Sequence, residues 1–374
     1  MPVPSAEELT ERKRIQINAE TVGNAASTDF PGHWPGENHE WDLEYFKENF
    51  KVQFHTSSPL DLSFSLIGID TSVANAFRRI LLAEIPTLAI EDVYIYQNTS
   101  IIQDEVLAHR LGLIPLRGNH AALDWMKWYK KPTTDTEGSG SPSDYNTVTL
   151  MLHVRCEWQD GGLDRAAAGE TDPDKLYTGH TVFASDMMWS PIGQQEALFG
   201  PDGGVEAQNP GIVIAKMRPG QEIKLMMHAF KGIGQDHAKF SPVATASYRL
   251  LPTIDISKPI VGPDAKKFAR CFPKGVIALE TVTEKDAGQN SELEGKQGEL
   301  KAVVADPMRD TVSRECLRHP EFKDKVKLGR VRDHFIFRIE STGQYDSDHL
   351  FLESVKLLKV KCARIKRGLA QMTQ

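Results

Sequence analysis

Cysteine is scarce in this sequence, with four residues in a chain of 374. They are Cys156, Cys271, Cys316 and Cys362, and no two of them are close neighbours in the sequence. This spacing excludes a local CxxC metal or redox pair and argues against a disulfide scaffold. We therefore expect buried free thiols at these positions.

Long apolar runs are also missing. No stretch approaches the ~20 apolar residues that cross a bilayer. The sequence opens with MPVPSAEELTERKR, which lacks the apolar core of a signal peptide, so we expect an intracellular protein. Hydrophobic residues make up 40% and charged residues 25% of the chain, as is usual for globular proteins, and the length suffices for two or three domains.

Basic residues are fewer than acidic residues in the chain, except near its C-terminal end. The net charge is −7, yet the segment 348–374 holds two acids and six bases, so that segment carries +4 and the rest carries −11. An acidic body argues against broad nucleic-acid binding. The basic segment favours a solvated helix face, and a free nucleic-acid-binding module stays open as an alternative.

Motifs for catalysis are missing as well. The sequence has no GxSxG, no GxxxxGK[ST] and no HxxxH with an adjacent Glu. The tract 231–240, KGIGQDHAKF, is the nearest to a phosphate loop or an acid–base pair. However, Asp236 and His237 are sequence neighbours whose side chains would point apart on a strand, which favours a structured turn. We predict no catalytic residues, and a stand-alone enzyme using this pair is the rival hypothesis.

The periodicity indicates a mixed chain of strands and helices. A helix is predicted at 72–84, with a good N-cap before it and Pro86 after it. A long helix is predicted from about 347 to 368. Strands are predicted at 51–56, 62–69, 88–97, 148–154, 181–189, 212–217, 223–230, 276–280 and 333–340. Residues 1–40 are polar and rich in proline, which predicts a flexible arm.

The helix at 72–84 has two distinct faces at 100° per residue. The first face is an ordinary core stripe, formed by Val73, Ala76, Phe77, Ile80 and Leu81. The second face sets one leucine among polar residues: Asn75, Arg78, Arg79 and Leu82. Such a face suits either solvent or a polar-rimmed interface, and spacing alone favours solvent.

The last helix carries a strict stripe with a repeat of 3.5 residues. Its members are Phe351, Val355, Leu358, Cys362, Ile365 and Leu369. The stripe suits packing on the chain's own sheet and equally a seam shared with another chain. Spacing cannot choose between these two, because each of them buries one stripe.

Two segments together resemble the alpha-type family of RNA polymerase subunits. The tract 72–86, SVANAFRRILLAEIP, is similar to the signature helix of this family. The tract 104–116, DEVLAHRLGLIPL, is similar to the segment that follows it in archaeal and eukaryotic members. The tracts 228–252 and 331–340 resemble the larger alpha-like subunits shared by eukaryotic RNA polymerases I and III. The resemblance covers roughly residues 45–370.

The resemblance implies an α+β fold with a split dimerisation domain. The two halves would be 48–90 and 320–374, and a β-rich insert domain would occupy 91–250. A ferredoxin-like region would occupy 252–319, after the flexible arm 1–40. Some relatives carry a cysteine cluster in that region, whereas this chain has single cysteines, so we predict no metal and no cofactor.

The resemblance also implies partners and a place of action. The chain would heterodimerise with the smaller alpha-like subunit, and the interface would include Phe77 and the first five members of the stripe. The face with Asn75, Arg78, Arg79 and Leu82 would contact the largest and second-largest subunits. Small zinc-ribbon-type subunits would pack nearby. The resemblance implies a non-catalytic scaffold for rRNA, tRNA and 5S rRNA transcription in the nucleus, including the nucleolus, with at most indirect contact to DNA or RNA.

Overall fold

The computed structural model describes residues 5, 8, 11–24, 41–129, 142–287 and 293–372. Within them the chain divides into two compact units. The first unit runs up to His55 and includes Ser63–Asn75 and Tyr248–Phe337. The second unit contains Thr56–Leu62, Ala76–Ser247 and the residues from Arg338 onward. Each unit mixes helices with antiparallel strands, and the sheets are open.

Helices and strands are interspersed along the described residues. The helices are α1 Leu43–Asn49, α2 Thr71–Ala83, α3 Asp104–Gly112, α4 His120–Trp125, α5 Gly162–Ala167, α6 Pro173–Leu176, α7 Gln195–Phe199, α8 Pro263–Arg270 and α9 Ser347–Met372. The strands in the first part of the chain are β1 Arg14–Ile17, β2 Val22–Gly23, β3 Lys51–Ser57, β4 Asp61–Ile67, β5 Thr87–Asn98, β6 Leu116–Arg117, β7 Val148–Arg155, β8 Glu157–Trp158 and β9 Tyr177–Thr178. The later strands are β10 Thr181–Phe183, β11 Met188–Ser190, β12 Glu206–Ala207, β13 Val213–Lys216, β14 Glu222–Gly232, β15 Val243–Ile256, β16 Ile277–Thr281, β17 Leu300–Val304 and β18 Val326–Ser341.

The main sheet of the first unit has the order β2-β1-β18-β4-β3, and β15 also pairs with β18. Its apolar positions alternate as expected for a half-buried sheet. Phe64 of β4 stacks on Phe337 of β18 with ring centroids 5.4 Å apart, and Tyr248 of β15 packs against the same Phe337 ring. A second apolar cluster in this unit centres on Phe268 of α8 and Phe322.

The first strand corrects part of the arm predicted at 1–40. Arg14–Ile17 pairs antiparallel with β18, from Arg14 opposite Val331 to Ile17 opposite Leu328. Ile17 is buried, and Arg14 forms an ion pair with Asp255 at 2.6 Å. These four residues form a strand because an edge of β18 is available to them, which their own polar surroundings do not reveal. Residues 25–40 lie outside the described part of the chain.

The second unit is built on a four-stranded antiparallel sheet with the order β11-β7-β14-β5. One face of this sheet is buried through alternate residues such as Leu150, Leu152, Leu225 and Met227. The predicted strand 181–189 is wrong as one element. A 3-10 turn at Ala184–Asp186 divides it, and the Asp186 carboxylate accepts the Phe183 backbone N–H at 2.8 Å.

Several other predictions are confirmed within a residue or two, and some elements were missed. The predicted strands at 51–56, 88–97, 148–154 and 223–230 correspond to β3, β5, β7 and β14. The pattern did not reveal β15, α8 or β17. The polar tracts 131–146 and 284–299 are predicted to be surface loops, and their residues 131–141 and 288–292 lie outside the described chain. Within the described residues, no helix combines the length and apolarity needed to span a membrane.

Candidate subunit interfaces

Helix α2 begins and ends where its sequence directs. The Asp70 carboxylate accepts the backbone N–H of Ser72 at 2.7 Å, and the Asp70 carbonyl accepts that of Ala74 at 3.1 Å. At the other end, Gly234 lies against the Leu82 carbonyl, where a Cβ would be 2.3 Å from the oxygen. The C-terminal end of α2 therefore contacts a turn that only glycine fits.

The core stripe of α2 differs from the predicted one at its start. Ile80 and Leu81 are buried, and so is Ala74. Ala76 and Phe77 are half-buried. Val73 is exposed, because it lies in the first turn, where Thr71 and Ser72 are exposed too. The prediction that Val73 belongs to the core is therefore wrong.

The opposite face of α2 gathers the four residues that sequence reasoning singled out. Asn75, Arg78 and Leu82 are half-buried and Arg79 is exposed. At 100° per residue they share one side of the helix. Leu82 thus forms an apolar centre with cationic neighbours, which is the composition of an interface anchor with a polar rim.

The first turns of α9 are fixed to the chain's own fold. The Ser347 hydroxyl donates to the Ser58 carbonyl at 2.6 Å. Leu350 and Ser354 are fully buried. The ring of Phe351 meets Phe77 of α2 edge to face, with centroids 5.3 Å apart. This part of α9 is therefore packed without help from another chain.

The rest of α9 is uncovered within the described chain. Every residue from Lys359 to Met372 is exposed, including Cys362, and Ile365 retains 65% of its accessible surface. Of the remaining stripe residues, Leu358 is half-buried, whereas Val355 and Leu369 are exposed. At 100° per residue, the buried face centres roughly 65° around the helix from the stripe. The two sides therefore adjoin, because buried Ser347 and Ile365 of the stripe lie on the same line along the helix.

One ion pair connects this uncovered part to α2. Lys361 Nζ lies 2.6 Å from the Glu84 carboxylate. Both side chains retain substantial solvent contact, so the pair contributes at most about 1 kcal/mol. It links the uncovered part of α9 to the residue that follows α2 and adds little to the stability of the fold.

A cluster of titratable rings lies at the beginning of α9. His120 stacks on Tyr345 with centroids 3.9 Å apart, and His349 meets His120 edge on. Burial and the charge of His349 hold the pKa of His120 below its usual value, against the opposing effect of nearby carboxylates. Burial would raise the pKa of Glu353, but hydrogen bonds from Lys356 and His349 outweigh it and lower that pKa.

The tract 231–240, which contains Asp236 and His237, is held in place by structural hydrogen bonds. Gln235 donates its backbone N–H to the Ala83 carbonyl at 2.9 Å, and Asp236 donates to Ile233 at 3.0 Å. His237 Nδ1 accepts the backbone N–H of Lys239 at 3.1 Å. The tract is a structured turn against the end of α2, as its sequence favoured.

The four cysteines differ in exposure. Cys156, Cys271 and Cys316 are buried, and burial raises the pKa of the Cys316 thiol to about 12. The fourth, Cys362, is exposed on α9, which corrects the expectation that all four are buried. Across the described ranges, no group of three or more His, Cys, Asp or Glu side chains is placed to hold a metal ion.

Comparison with known proteins identifies the family. Residues 63–362 match the RNA polymerase Rpb3/Rpb11 dimerisation domain. The chain is 46% identical over 352 residues to the Saccharomyces cerevisiae DNA-directed RNA polymerases I and III subunit RPAC1, covering 94% of this chain and 97% of the yeast one. It is 44% identical to Homo sapiens RPAC1, over 94% of this chain and 94% of the human one. It is 37% identical to Dictyostelium discoideum rpac1, over 96% of this chain and 94% of that relative. The chain belongs to the Rpb3/Rpb11 dimerisation-domain family of RNA polymerase subunits.

Proposed function

We propose that this chain is a non-catalytic assembly subunit shared by nuclear RNA polymerases I and III. The observation that carries the proposal is identity of 37–46% with RPAC1 chains over nearly the whole length. A stand-alone enzyme and a free nucleic-acid-binding module are not favoured, because the end-to-end similarity is to polymerase subunits. The site of action is the nucleus, and the link to RNA polymerase I extends it to the nucleolus.

The proposed domain arrangement follows the resemblance. The dimerisation domain consists of 48–90 with 320–374, and the β-rich insert occupies 91–250. Its support is the sheet formed by β5, β14, β7 and β11. The ferredoxin-like region occupies 252–319 and lacks a cysteine cluster; α8 and the β16–β17 hairpin lie in this stretch. The arm comprises residues 1–40, apart from the strands at its centre.

The proposed heterodimer forms along the stripe of α9. The partner is the smaller alpha-like subunit, which covers Phe351, Val355, Leu358, Cys362 and Ile365, together with Phe77. The support is that Ile365 and Cys362 have no cover within the described chain although they continue the same apolar stripe. A long apolar stripe left in water is costly, whereas a second helix would bury it.

The proposed contact with the large subunits uses the other face of α2. Arg79 is exposed beside the half-buried Leu82, and arginine is the charged residue most often found at interface hot spots. The largest and second-largest subunits are the proposed occupants, with small zinc-ribbon-type subunits nearby. Contact with DNA or RNA is at most indirect, since the body of the chain is acidic.

A charge reversal on α2 tests this assembly role. The variant Arg78→Glu/Arg79→Glu should keep the heterodimer with the smaller alpha-like subunit. It should reduce recovery of the two large subunits at least about tenfold in a pull-down with a tagged chain, which corresponds to about 1.4 kcal/mol of binding free energy.

The matched control is Arg367→Glu, a reversal at an exposed site on α9. It should recover the large subunits as well as the native chain does. Normal recovery with the double variant would show that this face of α2 is merely solvated. Failure of the native chain to recover any polymerase subunit would refute the assembly role itself.

A further inference from the structure

The four-stranded sheet of the second unit has an uncovered apolar stripe on its outer face. Four cross-strand neighbours form this stripe, one on each strand. In order across the sheet they are Met188 on β11, Met151 on β7, Met226 on β14 and Tyr94 on β5. Met188, Met151 and Tyr94 retain 71%, 48% and 44% of their accessible surface. Contiguous exposed apolar surface marks interaction sites, whereas single exposed apolar side chains are ordinary.

The stripe is one side chain wide except at β5, where Tyr96 also retains 64% of its accessible surface and its hydroxyl lies 4.0 Å from the Met226 sulfur. The row on one side of it is polar, with Gln97, Lys224 and His153 as cross-strand neighbours. The row on the other side holds Asp92, His228, Thr149 and Ser190. An apolar row bounded by two polar rows fits a partner element with a single apolar stripe of its own, not a flat apolar domain face.

A second, independent observation lies in the adjoining polar row. His228 and Thr149 are cross-strand neighbours, and both are more than nine-tenths buried. His228 Nδ1 and Thr149 Oγ1 have no hydrogen-bond partner among the described residues. The His228 ring also packs edge on against Tyr94, with centroids 4.9 Å apart, so these polar atoms adjoin the stripe. Leaving such atoms without a partner is costly, and an incoming polar group would remove that cost.

The dimensions of the stripe select the kind of element that fits. Strands are spaced by about 4.8 Å, so the four side chains span roughly 14 Å across the sheet. One turn of an α-helix advances about 5.4 Å, whereas side chains on one face of an extended strand repeat at roughly 6.7 Å. The helical repeat matches the strand spacing more closely, and about ten helical residues cover the stripe.

We infer that this stripe is the docking site for an amphipathic helix of another polymerase subunit. The helix lies across the strands and inserts apolar side chains between those of Met188, Met151, Met226 and Tyr94. Its acidic side faces Lys224, its basic side faces Asp92, and a polar side chain meets His228 and Thr149. Methionine suits this contact because its flexible side chain adapts to the partner. The inference rests on the proposed assembly role.

The first test compares methionine oxidation in the free full-length chain and in the assembled polymerase. Brief exposure to hydrogen peroxide, followed by mass spectrometry, reports which methionines are covered. Met188 and Met151 should oxidise readily in the free chain and at least tenfold more slowly in the polymerase. Met217 and Met227 are buried and should oxidise slowly in both. Equal oxidation of Met188 in the two states would overturn the inference.

The second test identifies the occupant. A photo-crosslinking residue at Met188 should link to a helix of another subunit within purified polymerase. The variant Met151→Glu/Met188→Glu should have the same unfolding temperature as the native chain. When it competes with the native chain, it should be incorporated into the polymerase at least tenfold less. Leu163→Glu, at an exposed leucine on α5, should incorporate normally.

The outcomes separate the docking site from the assembly role. Crosslinks to an extended strand or to a second copy of this chain would overturn the docking site, as would normal incorporation of the double variant. In each of those cases a tagged native chain would still recover the large subunits. If it did not, the assembly role would fail instead.

Discussion

The two parts of α9 differ in what covers them, although one apolar stripe runs through both. In the first turns, Leu350 and Ser354 are fully buried, and Phe351 meets Phe77. From Lys359 onward every described residue is exposed. The stripe therefore extends beyond the fold that anchors the helix. We therefore expect the anchored part to determine the stability of the chain, and we propose that the free part binds another chain.

The largest expected effect is on the anchored part. Leu350→Asp would remove a fully buried side chain and place a carboxylate in the core. We expect a loss of roughly 4 kcal/mol or more in the free energy of unfolding. Urea denaturation measures this loss. Leu352→Asp is the control, because Leu352 retains 58% of its surface and should change stability little. Similar losses in both variants would break the distinction between faces.

A smaller effect should appear with pH, again in the anchored part. Because burial and His349 hold the pKa of His120 below its usual 6.5, the unfolded chain takes up this proton more readily than the folded chain. The stability that depends on neutral His120 is present above pH 6.5 and is lost as the pH falls through the folded pKa. Urea denaturation at pH 7.5 and 5.5 should show this loss.

The matched variant is His120→Phe, which keeps a ring over Tyr345 but cannot titrate. It should lose less stability than the native chain between the two pH values. An identical pH dependence in the variant would show that His120 does not contribute.

The smallest expected effect concerns the ion pair between Lys361, on the free part of α9, and Glu84. Lys361→Ala removes the contact with Glu84 and should cost under about 1 kcal/mol, since both side chains are solvated. Thermal unfolding measures it, with the unpaired neighbour variant Lys359→Ala as the reference. A cost of several kcal/mol would mean that the later turns of α9 are part of the folding core.

The sequence predicted α2 and α9 well because their signals are local. Asp70 caps α2 and Pro86 follows it, and the stripe of α9 is periodic. The strand β1 was missed because four residues in a polar segment become a strand only through pairing with β18. The exposure of Cys362 was also missed. Burial by the same chain and burial by another chain require the same spacing, so periodicity alone cannot tell which part of a stripe is covered.

The same limit applies to the candidate interfaces. The face with Asn75, Arg78, Arg79 and Leu82 followed from helical geometry, and its proposed role rests on the family resemblance. The stripe led by Met188 escaped notice because β11 is three residues long and its neighbours come from distant segments. Only the register of the strands brings these side chains into one row.

The most direct test of the account is a substitution at Ile365 on the free part of α9. Ile365→Asp should leave the unfolding transition of the free chain unchanged and abolish co-purification with the smaller alpha-like subunit. The control is Arg367→Asp on the opposite side of the helix, which should retain the partner. Retention of the partner by Ile365→Asp would contradict the claim that another chain covers this stripe.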